Sequence, residues 1–271
     1  ERTFDLDLVN NDTNAPGPDG QIDSSGTHYY SPQYLLATRD NLRQSVADLF
    51  VLNASLDTAA GVSLNTAKKT LIGHSLGGTT ATVFLAFEDS ITATTLGMPA
   101  AGLTRLLINS PSFGPALLAG LSAAGLEQGT AEFEQLVTAI QTAIESGDAI
   151  NFGAAAAANS PIHMIEVVGD GADVLPDQTV PNSVATAPLS GSNPLARALG
   201  FDPANPTSVS SSGSALIQFI AGDHGSLVSP AASLAATVEM QTQMATFSAT
   251  GGASLPITDT SVIRGAATGG N

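Results

Sequence analysis

The chain contains no cysteine, so it has no disulfide framework and no thiol-based metal or redox site. Lysine is almost as scarce, with Lys68 and Lys69 the only two in 271 residues. Eight basic residues stand against 24 acidic ones, giving a formal net charge of −16. Nucleic-acid phosphates call for a basic surface, so this balance argues against a nucleic-acid partner. It fits a surface that stays soluble at high ionic strength, as in a saline setting. No apolar run reaches the length needed to span a bilayer. The opening, Glu1-Arg2-Thr3-Phe4, has no initiating Met, basic n-region or signal-type apolar stretch. It reads as the start of a mature or cleaved fragment of something longer.

What remains is a chain able to bury a sizeable core: 43% hydrophobic and only 12% charged. The length suits one large α/β domain, or such a domain with an inserted cap. The stretch Thr70-Leu71-Ile72-Gly73-His74-Ser75-Leu76-Gly77-Gly78 followed by Thr79 to Phe87 predicts a buried strand, a tight Gly-x-Ser-x-Gly turn and an apolar helix. The bare pattern is weak in a chain with 27 glycines; the strand before it and the helix after it give it weight. Together they have the layout of a nucleophile elbow. Gly73 and Gly77 are expected because a side chain at either would collide with the packed strand or helix. Ser75 would be lifted above the sheet, with the N–H of Leu76 and the positive end of the helix dipole facing any oxyanion that forms.

Elsewhere, Phe4, Leu6 and Leu8 alternate with Asp5 and Asp7, the period of a half-buried strand. The polar loop after it contains Asp19-Gly20-x-Ile22-Asp23, part of a calcium-loop pattern, but Ala15 and Gly17 occupy positions that need ligand side chains. A turn-rich surface loop is the better reading. Ser31-Pro32 opens a helix with Leu35, Leu42, Val46, Leu49 and Phe50 on one face. Strands are expected over 92–99, 162–168 and 215–220, a short helix over 194–199, and a last helix opened by Ser229-Pro230 and closed by Gly251-Gly252. Leu234, Val238, Met240, Met244 and Phe247 are available for its buried face. Between Pro111 and Asn159 the pattern is helical throughout, with a helix from Thr130 carrying Phe133, Leu136, Val137, Ile140 and Ile144 on one stripe. Such an insertion reads as a cap or lid, the alternative being ordinary crossover helices.

A serine hydroxyl needs a base in hydrogen-bond reach, itself oriented by a carboxylate. Of four histidines, His74 lies inside the turn, His28 in the N-terminal loop and His163 at the start of a strand. His224 follows the last core strand, where a loop leaves the edge of the sheet that also carries Ser75. The acid comes from the loop Gly169 to Pro181, which offers Asp170, Asp173 and Asp177. Asp177 is preferred for its Asp-x-x-Val-Pro pattern, in which Val180 and Pro181 anchor the loop behind the carboxylate; Asp173 and Asp170 follow in that order.

The blocks Gly-His-Ser-Leu-Gly-Gly at 73–78, Leu-Pro-Asp-Gln-Thr-Val-Pro-Asn at 175–182 and Gly-Asp-His-Gly-Ser-Leu at 222–227 stand in α/β-hydrolase order. With Arg-Thr-Phe-Asp-Leu-Asp at 2–7, the chain resembles the bacterial extracellular lipases and lysophospholipases of the Pla-1/cef type. The resemblance implies Ser75 as nucleophile and His224 as base, and it supports the loop of Asp177 for the acid. It further implies ester hydrolysis on lipid-like substrates outside the cytoplasm; some related bacterial esterases also accept polyesters. Such a fold normally carries several strands and an oxyanion-hole loop before the elbow, and no His-Gly-type motif precedes Ser75. Either the fold is minimal or those strands belong to a segment outside this sequence, and the second is the expectation.

The resulting expectation is an α/β-hydrolase fold, a mostly parallel sheet with helices on both faces, its core over 1–110 and 160–271 and a helical cap over 111–159. The expected activity is that of a serine carboxylester hydrolase on hydrophobic ester or lipid substrates, without metal or organic cofactor. It would work outside the cell or at the outer membrane, in transient contact with lipid interfaces. The Ala/Leu-rich stretch 115–125 suggests an apolar acyl pocket. A thioesterase, peptidase or amidase on the same triad is the near alternative. An inactive lipid-binding domain is the distant one.

Overall fold

Four short apolar runs form one parallel sheet: β1 (Lys69–His74), β2 (Ile91–Gly97), β3 (Ile162–Val167) and β4 (Ala215–Phe219), in the order β1-β2-β3-β4. They come from a computed structural model that describes residues 6–13, 15–23, 29–30, 35–56, 58, 61, 63–205 and 213–265. Among these residues there are eight α-helices: α1 (Leu35–Leu56), α2 (Leu76–Leu85), α3 (Leu103–Asn109), α4 (Gly114–Ala123), α5 (Ala131–Ile144), α6 (Gly153–Asn159), α7 (Ser192–Ala198) and α8 (Leu234–Ala249). The architecture is α/β.

The strand order explains the layers. Parallel neighbours need crossovers, and crossovers share one hand. Because the order is monotonic, every crossover falls on the same face. Phe84 and Leu85 of α2, Ala156 of α6, and Leu195 and Ala196 of α7 therefore share one core with Leu96, Ile162, Met164 and Leu216 of the sheet. Only after β4 does the chain turn back, and α8 covers the opposite face, with Ala236 and Met240 against Ile165, Val167, Ile217 and Phe219. The two sets alternate along β3 and β4, as the period of two requires. Both of these strands are wholly buried.

β1 differs. Leu71 packs into the first core, but Ile72 on the other face is 50% exposed, because α8 lies over β2 and β3. No strand pairs with the outer edge of β1 among the described residues. At the far edge, β4 makes an antiparallel bridge from Phe219 to Ile263.

Residues 111–159 carry α4, α5, two 3₁₀ turns and α6. Thr130 caps α5, its hydroxyl accepting from the Phe133 N–H, and Glu132 and Glu134 sit in the first turn, where the helix dipole favours negative charge. Phe133, Val137, Ile140 and Ile144 form the buried stripe, and α5 packs against α1 and α3. Asp148, fully buried, receives the N–H groups of Gly102 and Leu103 at the start of α3. Arg105 of α3 pairs with Glu134 of α5. The alanines of α6 let it lie close on α2.

Several sequence expectations require correction. Residues 6–8 are not a strand, and Leu6 and Leu8 are exposed. The backbone pairing of this segment stops at a single antiparallel bridge, Val9 to Pro16, with the Leu6 and Leu8 carbonyls accepting from Asp23 and Gly17 N–H. Carboxylates add further ties, Asp7 accepting from the N–H groups of Asp19 and Gly20, and Asp23 from that of Leu8. The last helix starts at Leu234, not after Ser229-Pro230. Residues 225–229 close instead into a turn, with Val228 and Ser229 donating to the Gly225 carbonyl, and Ser233 supplies the cap by accepting from Ala236 N–H. Leu234 and Val238 consequently face solvent, while Met240 and Phe247 are buried. Phe4, His28 and the Ser31-Pro32 helix start lie outside the described residues.

Candidate active site

The turn after β1 is strained at one residue. Ser75 has φ 55° and ψ −121°, and α2 begins with the next residue. A non-glycine in this region costs on the order of 1–3 kcal/mol and persists only where its surroundings fix it. Those surroundings are unusually close. A Cβ on Gly73 would sit 2.6 Å from the Gly77 carbonyl oxygen, and one on Gly78 2.9 Å from the Pro99 Cβ. Gly77 itself faces open space, so the expected clash there is absent; the second tight position is Gly78. The Ser75 N–H donates to the Gly97 carbonyl at 2.8 Å, tying the turn to the end of β2. The N–H groups of Leu76 and Gly77, first in α2, donate to no acceptor among the described residues. Ser75 is half-exposed and both of these residues are exposed.

Asp177 arrives from the loop after β3. Its N–H donates to the Val167 carbonyl at the strand end, and its Oδ1 accepts from the N–H groups of Thr179 and Val180 at 2.8 and 2.9 Å. Val180 is buried behind it among Ala100, Leu103 and Ile144. The other carboxylate oxygen lies 2.7 Å from Nδ1 of His224. An ionised carboxylate only accepts, so the His224 proton is on Nδ1 and the Nε2 side of the ring is left to act as acceptor. Asp170 is spent elsewhere: its carboxylate accepts from Ala172 and Val174 in its own exposed loop, which holds its pKa below the usual carboxylate value. Asp173 is exposed and makes no contact with His224.

The loop of His224 is stiffened from within. Asp223 accepts from the Gly225 N–H and the Ser226 hydroxyl, and the Ser226 hydroxyl in turn accepts from the Asp223 N–H. Leu227 packs over Gly97, where a Cβ would approach its Cδ2 to 2.6 Å. Sequence reasoning did not foresee one contact. Nε2 of His74 lies 2.7 Å from the His224 carbonyl oxygen, and the two rings lie 5.0 Å apart between centroids. Position in the Gly-x-Ser-x-Gly pattern places His74 beside Ser75 but says nothing of what its ring meets.

Ser75, Asp177 and His224 thus gather at the carboxyl ends of β1, β3 and β4, the edge where α/β sheets place their sites. No hydrogen bond joins the Ser75 hydroxyl to the His224 ring in this structure. Among the described residues no group of three or more His, Asp or Glu is placed to hold a metal ion. His163, the other described histidine, is fully buried in the core; burial lowers its pKa to about 3, against a smaller opposing effect from its hydrogen bond to Gln243. It stays neutral and has no part in this cluster. No family model matches the chain, and no curated protein does either.

Proposed function

We propose that the chain is a serine carboxylester hydrolase of the α/β-hydrolase type, with Ser75 as nucleophile, His224 as base and Asp177 as the acid that orients it. The observation that carries this reading is the 2.7 Å bond from a buried, doubly anchored Asp177 carboxylate to the His224 ring, on the sheet edge that also bears the strained Ser75. A surface ion pair would need neither the burial nor the two backbone anchors. Ser75 Oγ attacks the ester carbonyl while His224 Nε2 takes its proton. The carbonyl oxygen becomes an oxyanion facing the free N–H groups of Leu76 and Gly77 at the positive end of α2. Collapse of the tetrahedral species breaks the ester C–O bond, and the imidazolium returns the proton to the leaving alkoxide. Water, deprotonated by His224, then attacks the acyl-enzyme and releases the acid and Ser75.

The substrate reading is a hydrophobic ester, lipid or polyester, hydrolysed outside the cell or at the outer membrane. Support comes from a small apolar hollow between α3, α4 and α5, lined by Tyr30, Thr104, Ile108, Leu117, Leu121 and Ile140. The turn leading into α4 is tied to the Asp177 loop, with Ser112 N–H donating to the Gln178 carbonyl and the Ser110 hydroxyl to that of Thr179. In this reading α4 and α5 act as the lid and must part to take the acyl chain between them, the hollow as it stands having room for only about one water.

A fluorophosphonate probe tests the chemistry directly. Wild type should be labelled at Ser75 and hydrolyse nitrophenyl esters, and Ser75→Ala should lose both while melting at the same temperature. A variant keeping more than about 1% of wild-type turnover would sink the assignment, since triad losses are usually orders of magnitude. The alternative of an inactive lipid-binding domain draws on the missing Ser75–His224 hydrogen bond. That alternative predicts no labelling of the wild type. Catalytic bonds are often loose before substrate arrives, so the hydrolase reading is the stronger of the two.

A further inference from the structure

We propose that His74 is a positioning residue that sets the place of the His224 ring over Ser75, an inference resting on the reading of those two as base and nucleophile. The His224 carbonyl can only accept, so Nε2 of His74 is the donor in the 2.7 Å contact. The contact thereby selects the ring form that carries a proton on Nε2. No other group donates to that carbonyl among the described residues.

The geometry of the loop shows why one such bond matters. Asp223, Gly225 and Ser226 hold one another through the Asp223 side chain, and Leu227 is held through its own carbonyl by Gln241 of α8. Asp177 holds the His224 imidazole at Nδ1. These anchors fix the loop after His224 and the Nδ1 side of its ring. The backbone of His224 itself is held by His74. Because His74 is bonded to Ser75, its ring joins the backbone of the base to that of the nucleophile through a single peptide unit. The spacing between the two then no longer depends only on the stacking of β1 and β4, which are separated by two strands. The room Gly97 leaves is for Leu227, whose Cδ2 a Cβ there would approach to 2.6 Å; at 3.5 Å the His74 ring would be in ordinary contact with it. A misplacement of about 1 Å in a reacting group is enough to lose on the order of 100-fold in rate.

The test compares His74→Phe, which keeps a ring without the donor, with His74→Gln, whose amide N–H can reach the same carbonyl. His74 is only half-buried, so both should fold; His74→Leu replaces the Phe variant if it does not. On nitrophenyl acetate, His74→Phe should lower kcat by about 10–100-fold with KM within about twofold, the signature of displaced catalytic groups and intact binding. His74→Gln should recover most of that loss. Unchanged kcat in His74→Phe, or a Gln variant as poor as Phe, would overturn the role of the donor. Fluorophosphonate labelling of the wild type at Ser75 keeps the two questions apart. A labelled, active wild type with an unaffected His74→Phe refutes the clamp alone. An unlabelled wild type refutes the hydrolase reading and the clamp with it.

Discussion

At Ser75 the positive φ is held by neighbours that have no room for side chains, and the two glycines flanking it in the pattern play different parts. Gly73 cannot accept a Cβ without displacing the Gly77 backbone, which belongs to a helix and cannot yield cheaply. Gly77 has nothing within reach of an added methyl. Gly73→Ala should therefore lose about 1–3 kcal/mol of stability, the range for overpacking a tight site. Gly77→Ala should be neutral or slightly stabilising, because alanine is the better helix former by up to about 1 kcal/mol. Urea denaturation of the two variants against wild type measures both. Equal destabilisation would show that the turn is tight on both sides. The pattern Gly-x-Ser-x-Gly, read as a sequence, treats the two positions alike, because a one-dimensional motif does not say which way a missing side chain would point.

Among the elements, α5 best illustrates how a legible helix leaves its role undetermined. Its cap at Thr130 and its stripe Phe133, Val137, Ile140 and Ile144 are present as the 3.6-residue period requires. Periodicity gives the face that is buried, not the surface that buries it, and the partners are α1 and α3. Ile140 also lines the apolar hollow beside α4. If α4 and α5 receive the acyl chain, Ile140→Ala should weaken hydrolysis of octanoyl and longer nitrophenyl esters by about 10-fold while leaving the acetyl ester nearly unchanged. Losing a few methylenes of contact discriminates by roughly 1–3 kcal/mol. Equal losses on long and short esters, or a lower melting temperature alone, would make α5 a structural crossover. The helix α8 gives the opposite lesson. Ser229-Pro230 is a sound local start signal, yet the Gly225–Ser229 turn takes those residues and the helix begins at Leu234.

For the molecule as a whole, the buried polar chain Thr95–His163–Gln243–Glu239 joins β2 and β3 to α8, and Glu239 goes on to accept from Thr258 and Asp259. His163 is central to it, with a pKa of about 3 in the fold against about 6.5 in an unfolded chain. Between those two values the unfolded chain binds a proton that the folded one refuses. Stability is thus fully present above pH 6.5 and falls as pH drops toward 3, by up to about 1.4 kcal/mol per pH unit from this residue alone. His163→Gln should flatten that slope: relative to wild type it should gain stability between pH 7.5 and pH 4.5 in urea titrations. Parallel pH profiles would remove His163 from the account of acid unfolding. No composition count reveals such a group, because the shift arises from its burial between the sheet and α8.

By itself the sequence determined the α/β class, the strand–turn–helix around Ser75, the capped α5 and the placing of His224 after the last strand. These are properties of short stretches, set by period, turn chemistry and caps within a few residues. The local pattern ranked Asp177 first among Asp170, Asp173 and Asp177, but only the tertiary structure showed which carboxylate meets the His224 ring, since all three lie in one loop and the ring comes from 47 residues beyond Asp177. It also decided that His74 holds the His224 carbonyl across 150 residues of chain. The same holds for β1, whose Ile72 is left bare because the monotonic strand order sends every crossover helix to the other face. Each of these depends on where separate stretches of chain come to lie in space, and no local preference encodes that.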